Sequence, residues 1–343
     1  MGLQFERREK VARYLDPRNG YADAGLSCEV RRDPLTGRTG RVAHVLGFRL
    51  LPVDFGSMIE ESRRTCPFCP DRIFEVTPKF PADVTSQGRF QRGEAVAFPN
   101  LAPYDEHSAV IAMTAAHYVP MSGFTPGQLG DAFGVCIDYG ASVRRLPATN
   151  YALAFWNYLP ASGGTQIHPH LQMYVTDTPG NAMEMELAAS LRYARSEGRP
   201  YWADLIDEEE RRGERFIARG RHTAWLASFV SESLLGDALV IFPGRRTMLD
   251  VSDAEMDEFC VGLTQVLRKW EADGIYSFNL GWYSGSAERD DFWLHARISP
   301  RVYMAPKLWG VDTSSLQHLY DEHFMVRTPE DAAEALRGAV RFS

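Results

Sequence analysis

The chain has 343 residues, of which 45% are hydrophobic and 24% charged, with a formal net charge of -8. That length can bury one large core or two ordinary ones, and the composition excludes a disordered chain. The acidic balance excludes a nucleic-acid binder working through a broad basic face, so an anionic ligand has to be held by local donors. No apolar run approaches the ~18 residues of a membrane span, and no charged-then-apolar leader opens the sequence, which makes the cytoplasm the expected location.

The first 65 residues are rich in arginine and glycine ("VRRDPLTGRTGRVAHV") and read as short strands joined by turns such as Pro34 to Gly37. "CPFCPDR" follows, then a loop-rich passage. The order then becomes regular. "SAVIAMTAAH" predicts a buried strand, "TPGQLGDAFGVCIDYGASVRRL" a capped helix, "NYALAFWNY" a second strand and "IHPHLQMYV" a third.

The same order returns downstream in "DALVIFPGRR", "DVSDAEMDEFCVGLTQVLRKWEADG", "YSFNLGWYS" and "FWLHARISP". This pattern predicts a tandem duplication of a strand, helix, strand, strand unit. "HPHLQ" and "LHARI" then occupy one slot. The stretch between the copies, "LRYARSEGRPYWADLIDEEERRGERFIARG", reads as a charged helical connector with a solvated face.

Five cysteines do not make a disulfide framework, and two of them form the tight pair Cys66 and Cys69. Such a pair is a metal clip or a redox pair. No strand-then-helix start flanks it as the redox reading requires, so zinc is preferred, with His117 and His168 as candidates for the two further ligands. On a strand His168 and His170 project together, followed by Gln172, and Pro169 between them suits an edge or strand-start position. Upstream, Asn157 leads through Ser162, Gly163, Gly164 and Thr165. Small residues of this kind let backbone N–H groups approach a phosphate, although a plain Ser/Gly hairpin has the same composition.

Together, "HPHLQ" with Asn157 before it, "CPFC" with the distant His117, "RRDPLTGR" at Arg31 to Arg38 and the "TPEDAAEALR" ending resemble the galactose-1-phosphate uridylyltransferase family of the histidine-triad superfamily. The resemblance runs over nearly the whole chain. It implies an α+β fold, with two histidine-triad-like units of antiparallel sheet and packed helices: an N-terminal extension at 1–65, a first unit with zinc and nucleophile at 66–200, and a second, degenerate unit at 201–343.

The resemblance also implies roles. His170 would be the nucleophile attacking the α-phosphorus of a nucleotide sugar, giving a nucleotidyl-histidine that a sugar 1-phosphate discharges. Gln172 would hydrogen-bond the phosphoryl oxygens, and as glutamine rather than a third histidine it points to transfer instead of hydrolysis. Asn157, Ser162, Gly163, Gly164 and Thr165 would hold phosphates. Cys66, Cys69, His117 and His168 would hold one structural zinc ion. Phe98 would face the base and Asn100 the ribose, or Phe98 is simply a core residue before a turn.

Departures from the family pattern bear on the substrate. Leu101 stands where galactose-type members commonly have aspartate, a form more like relatives that handle adenine nucleotides. Where some members bind a second metal, this chain has Arg297 and Tyr283 in place of histidines, so Glu186 and His295 are expected to hold no second metal, with His295 a packed or hydrogen-bonded remnant. Arg297 is expected either to bind an acceptor phosphate or to make a surface salt bridge. The glutamine that contacts the hexose phosphate in the family is not evident; His323 and Phe324 lie in that neighbourhood. A homodimer is expected by resemblance. The competing readings are a phosphorylase that uses inorganic phosphate on an ADP-sugar or a dinucleoside polyphosphate, and a zinc-stabilised nucleotide-binding protein without catalysis.

Overall fold

The computed structural model describes residues 3–43, 48–146 and 149–342; the last two residues of the arginine-rich opening passage, 44 and 45, lie outside them. The chain opens with β1 (Glu6–Asp16), β2 (Ala22–Arg32) and β3 (Thr39–Ala43), then α1 (Gly56–Arg63) and α2 (Ile73–Val76). The first half continues through β4 (Phe90–Arg92), β5 (Ala95–Pro99), β6 (His107–Ala112), α3 (Pro126–Val143), β7 (Tyr151–Tyr158) and β8 (His170–Thr176). Two helices connect the halves, α4 (Asn181–Glu197) and α5 (Tyr201–Arg212).

The second half contains β9 (Phe216–Arg219), β10 (Ala224–Ala227), β11 (Ala238–Ile241), α6 (Asp253–Ala272), β12 (Ser277–Tyr283) and β13 (His295–Arg301). The chain closes with β14 (Tyr303–Ala305), β15 (Gly310–Val311), α7 (Ser315–Tyr320), β16 (His323–Met325) and α8 (Pro329–Leu336). Among the described residues no helix is long and apolar enough to cross a membrane.

Ten strands form one sheet in the order β4-β5-β6-β8-β7-β12-β13-β11-β10-β9. The order of the second five mirrors that of the first five, and the halves meet where β7 pairs antiparallel with β12. The α+β class with antiparallel sheet and packed helices is therefore as expected. α3 and α6 pack on one face of this sheet, with Phe133 of α3 edge-on to Phe259 of α6 at 5.7 Å and to Trp282 of β12 at 5.5 Å. Both helices begin at capping boxes, Thr125 with Gln128 and Ser252 with Glu255, which fix their starts by satisfying the first free N–H groups. Leu171, Met173 and Val175 of β8 join the core beneath these helices, and His170 and Gln172 project to the opposite face. In the second half α4 and α5 cover it, burying Met183, Leu187, Trp202 and Leu205 against Leu226, Leu239 and Ile241.

Two expectations need correction. The opening passage forms two strands of eleven residues each, paired from Glu6↔Arg32 to Asp16↔Ala22, rather than short strands. Its charged residues fall on both faces of β1, which stays exposed almost throughout, so no apolar alternation announces a strand. β16 from the end of the chain adds in parallel to β3 and completes this sheet.

The connector is two helices broken at Gly198 and Pro200, and part of its charge is buried. Arg215 and Glu209 lie inside, 2.8 Å apart, and Arg215 and Arg31 both donate to the Glu330 carboxylate of α8 at 2.8–2.9 Å. Pairing is what allows these charges to leave water. Glu208 with Arg211 and Arg212 makes the solvated part.

Candidate active site

Pro169 precedes the first residue of β8, so the strand-start placement holds, but β8 is central: it pairs with β6 on one side and β7 on the other. His168 therefore lies in the lead-in, where its imidazole meets three other metal-type ligands. Cys66, Cys69, His117 and His168 are all buried, and their ligand atoms lie within 4.8 Å of one another. The sulfur of Cys69 is 3.4 Å from Nδ1 of His117 and 3.8 Å from Nδ1 of His168, and the sulfur of Cys66 is 3.6 Å from His168 Nδ1. Tetrahedral bonds of zinc to N and S give ligand separations of about 3.3–3.8 Å. The cluster could bind one metal ion and has the dimensions of a structural zinc site.

The outer hydrogen bonds fix which nitrogen faces the cluster. His168 Nε2 donates to the Thr114 carbonyl at 2.7 Å. The Ser62 hydroxyl donates to Ile59 O and lies 2.9 Å from His117 Nε2, which leaves that nitrogen as the donor to Ser62. Both histidines thus present an Nδ1 lone pair to the cluster. The Phe68 N–H points at the Cys66 sulfur, 3.4 Å away, as suits a thiolate. Burial and the neighbouring Cys66 push the Cys69 thiol pKa up to about 11, and burial pulls His168 down to about 4, so near pH 7 the imidazole is free to ligate while the thiol must give up its proton to a bound cation.

Two residues on, the tautomer of His170 is fixed in the complementary sense. Its Nδ1 donates to the His168 carbonyl at 2.9 Å, leaving Nε2 with a lone pair and no protein hydrogen bond among the described residues. Burial lowers its pKa, which keeps the ring neutral near pH 7. Gln172 follows on the same face of β8, flanked in register by Val110 and Phe155, and its Oε1 is buried without a partner.

Phe68, inside the cysteine pair, was not singled out from the sequence. Its ring lies 5.4 Å from His170, 5.4 Å from Phe98 and 6.0 Å from His168. The cysteine loop thus delivers an aromatic wall to the histidine. Phe98 is only 3% exposed and packs with Val96, Val110 and Ile73, so the core reading of that residue is the one its environment favours. Asn100 Oδ1 accepts from Ala102 N at 2.9 Å, and Leu101 is 81% exposed beside it.

Beyond β7 the chain turns tightly through Pro160–Ser162. Leu159 takes a positive φ of 66° there, and a Cβ on Gly164 would come within 2.7 Å of the Asn157 carbonyl, so only glycine lets the loop fold back on the strand end. Gly163 and Thr165 are exposed at its tip. Ser162 differs from expectation, because its hydroxyl is buried and lies within 3.0 Å of the Tyr158 and Leu159 carbonyls, turned into the loop. Asn157 is oriented from the other half: Asn279 Nδ2 donates to Asn157 Oδ1 at 2.6 Å and to the Ser162 carbonyl at 2.9 Å. Arg301, itself clamped by Asp312, in turn donates to Asn279 Oδ1 at 2.6 Å.

Arg297 makes its ion pair inside the fold rather than on the surface. It is partly buried on β13, 15% exposed at its side chain, and donates to Glu186 Oε1 at 2.7 Å and to Ser228 Oγ at 3.2 Å. His295 repeats the geometry of His170, with Nδ1 donating to the Trp293 carbonyl at 3.0 Å, but its ring is stacked between Trp202 at 4.1 Å and Tyr283 at 4.7 Å, and its Nε2 meets Glu186 at 3.1 Å. Glu186 is thus engaged by the Arg297 guanidinium, and His295 is the packed, hydrogen-bonded residue expected.

The site thus joins a neutral histidine with one free nitrogen to a buried Cys2His2 cluster on an antiparallel sheet. No family model matches the chain. It is 26% identical over 356 residues to a galactose-1-phosphate uridylyltransferase of Streptomyces lividans, covering 98% of this chain and 94% of that one. It is 29% identical over 339 residues to an uncharacterized protein of Archaeoglobus fulgidus, with 98% of each covered. Among solved structures, an ADP-glucose phosphorylase from Arabidopsis thaliana superposes with a TM-score of 0.69 at 17% identity, covering 90% of this chain and 98% of that one. A uridylyltransferase mutant superposes with a TM-score of 0.65 at 18% identity, again covering 90% and 98%. The chain is thus similar in sequence to a galactose-1-phosphate uridylyltransferase and shares its fold with these solved structures.

Proposed function

We propose that the protein transfers a nucleoside monophosphate from a nucleotide donor to a phosphate-bearing acceptor through a covalent nucleotidyl-His170 intermediate. The observation that carries this reading is the fixed tautomer of His170, whose Nδ1 is spent on the His168 carbonyl while Nε2 keeps its lone pair. Nε2 forms a bond to the α-phosphorus as the bond from that phosphorus to the bridging oxygen breaks, and the electron pair leaves on the β-phosphate. An acceptor phosphate oxygen then forms the new bond to phosphorus, and the pair of the P–N bond returns to Nε2. The acceptor oxygen is already ionised, so no strong base is needed.

Gln172, with an unpaired buried carbonyl oxygen on its amide, orients its NH2 toward the phosphoryl oxygens. Asn157, Gly163, Gly164 and Thr165 form the phosphate side, and Phe68 walls the nucleophile. Cys66, Cys69, His117 and His168 would hold one zinc ion, which with four protein ligands anchors the strand and activates no water. A sugar 1-phosphate is the acceptor by likeness to the Streptomyces lividans relative. The exposed Leu101 after Asn100 supports a second reading in which the nucleotide is an adenylate and the acceptor is inorganic phosphate. The working form is a cytoplasmic homodimer.

The test is incubation with α-labelled nucleotide donors, followed by denaturing isolation and assay for acid-labile, alkali-stable label. Label on the wild-type protein and none on His170→Ala supports the reading. Wild-type protein labelled by no donor, or a variant labelled equally, overturns it. The acceptor that discharges the label separates transferase from phosphorylase.

A further inference from the structure

Asn279 reaches the phosphate side from the second half of the chain. On β12 it stands opposite Asn157 of β7 and opposite Ser299 of β13. Arg301, two residues past Ser299 on the same face of β13, approaches it diagonally, as a long side chain can. Continuing the β7 to β8 register from Phe155↔Gln172 and Trp156↔Leu171 brings Asn157 level with His170, on the same face. A row of four side chains thus leads from the C-terminal segment to the neighbour of the nucleophile: Asp312, Arg301, Asn279 and Asn157.

Each bond in the row has a fixed direction. A guanidinium has no acceptor, so Arg301 Nη1 can only donate to Asn279 Oδ1, at 2.6 Å. That sets the first amide: its Nδ2 is the atom facing Asn157, and it donates to Asn157 Oδ1 at 2.6 Å and to the Ser162 carbonyl at 2.9 Å. With Oδ1 of Asn157 occupied, its NH2 is the end left over, and it makes no protein hydrogen bond among the described residues. The far end is anchored by Asp312, 5% exposed, whose Oδ1 accepts from Arg301 Nε at 2.8 Å and from Nη2 at 2.5 Å, while Thr313 Oγ1 accepts from Nη2 at 2.6 Å. Asn279, Arg301 and Asp312 border a cavity of about 320 Å³, so hydrogen bonds rather than close packing hold the row in place.

We infer that Asp312, Arg301 and Asn279 are positioning residues that set the polarity of Asn157, so that it offers NH2 rather than a carbonyl oxygen to the phosphates of the donor. The inference rests on the proposed place of Asn157 on the phosphate side. A reversed amide would set its oxygen against phosphate oxygens, acceptor facing acceptor, with neither satisfied. In the observed sense its N–H donors meet the charge that builds on the phosphoryl oxygens during transfer.

The experiment measures single-turnover labelling of the full chain at saturating α-labelled donor for Asn279→Ala, Asn279→Asp, Asn157→Ala and the two double variants, each checked for fold by circular dichroism. Aspartate has the shape of asparagine but cannot donate to Asn157, so it forces the reversed amide, whereas alanine leaves the amide free to turn. The expected losses are about tenfold for Asn279→Ala, and about 100-fold for Asn279→Asp and for Asn157→Ala. On the Asn157→Ala background either change at 279 should cost about threefold or less. Packing alone gives the opposite order, with the isosteric variant the milder one. Asn279→Asp as fast as Asn279→Ala, or losses at 279 that persist without Asn157, overturn this inference and leave the covalent reading standing. Should the aspartate variant not fold, the cycle between Asn279→Ala and Asn157→Ala decides by the same criterion. Asn157→Ala labelling at the wild-type rate overturns the place of Asn157 and this inference with it, and a wild-type protein labelled by no donor overturns the covalent reading as well.

Discussion

His170 donates its Nδ1 proton to the backbone carbonyl of His168, 2.9 Å away and two residues up the chain, and the imidazole of that same His168 belongs to the Cys2His2 cluster. His170 and the cluster are therefore coupled through one residue, His168. His170→Ala is expected to lower nucleotidyl transfer at least about 10³-fold, since the covalent route is lost while phosphate binding remains. Steady-state turnover with the best-labelling donor checks it.

Removing the metal should act through the same link. The protein is expected to hold about one zinc per chain by elemental analysis, and Cys66→Ser to lose it. The melting temperature should fall by several degrees, because freed thiols and imidazoles at 3.4–3.8 Å separation remain buried without the ion that pairs them. A metal-free protein of equal stability would contradict the structural role.

The loop after β7 makes a sharper prediction about rate. Gly164→Ala places a methyl group 2.7 Å from the Asn157 carbonyl and 3.0 Å from that of Leu159, which forces the loop off the strand end. Transfer is expected to slow by about tenfold or more as the phosphate side shifts. The neighbouring Gly163→Ala meets no atom within 4 Å but has φ of 85°, so its cost is backbone strain of about 1 kcal/mol in stability. Kinetics and thermal melts of the two variants separate the effects.

Acid should weaken the fold through Glu186 and Glu330. Burial pushes the Glu186 carboxyl up, but Arg297 and His295 outweigh it and hold it at about 2; burial likewise opposes, and Arg31 and Arg215 overcome, at Glu330, also at about 2. Both folded values lie below the unfolded 4.5, so each contribution is full above about pH 4.5 and is lost as pH falls toward 2. The loss is on the order of 2–3 kcal/mol per group as an upper bound. Urea midpoints between pH 6 and 3 check the slope, and Glu186→Gln should flatten it.

Arg297→Met alone leaves the Glu186 carboxylate buried without its guanidinium, at a cost of about 3–5 kcal/mol. Pairing the change with Glu186→Leu is expected to recover most of that loss, because two apolar chains replace a buried ion pair at small net cost. Chemical denaturation of the single and double variants measures the difference.

The sequence carried the site better than its surroundings. His168, His170, Gln172 and the cysteine pair were legible because their spacing is chemically restrictive, and the starts of α3 and α6 because Thr125 and Ser252 cap them with Gln128 and Glu255. The resemblance placed Glu186 and Arg297 in one slot, but the residue types alone did not show that the carboxylate, 111 positions earlier, takes up the guanidinium. The burial of Arg215 and Glu209 was hidden for the same reason, since Arg31 and Glu330 converge from opposite ends of the chain. Ser162 looked like a phosphate donor by composition, while its turn geometry sends the hydroxyl inward. Phe68 was overlooked because a ring inside a metal clip has no periodicity to mark it.

The seam between β7 and β12 has a practical outcome. Severed at the connector, the first half would present Tyr151–Tyr158 as a raw edge strand, alternating buried and half-buried along its length, with unmet N–H and C=O groups. Such an edge recruits other chains. The second half is therefore the solubility partner of the first, and the two fragments should be recoverable only when expressed together.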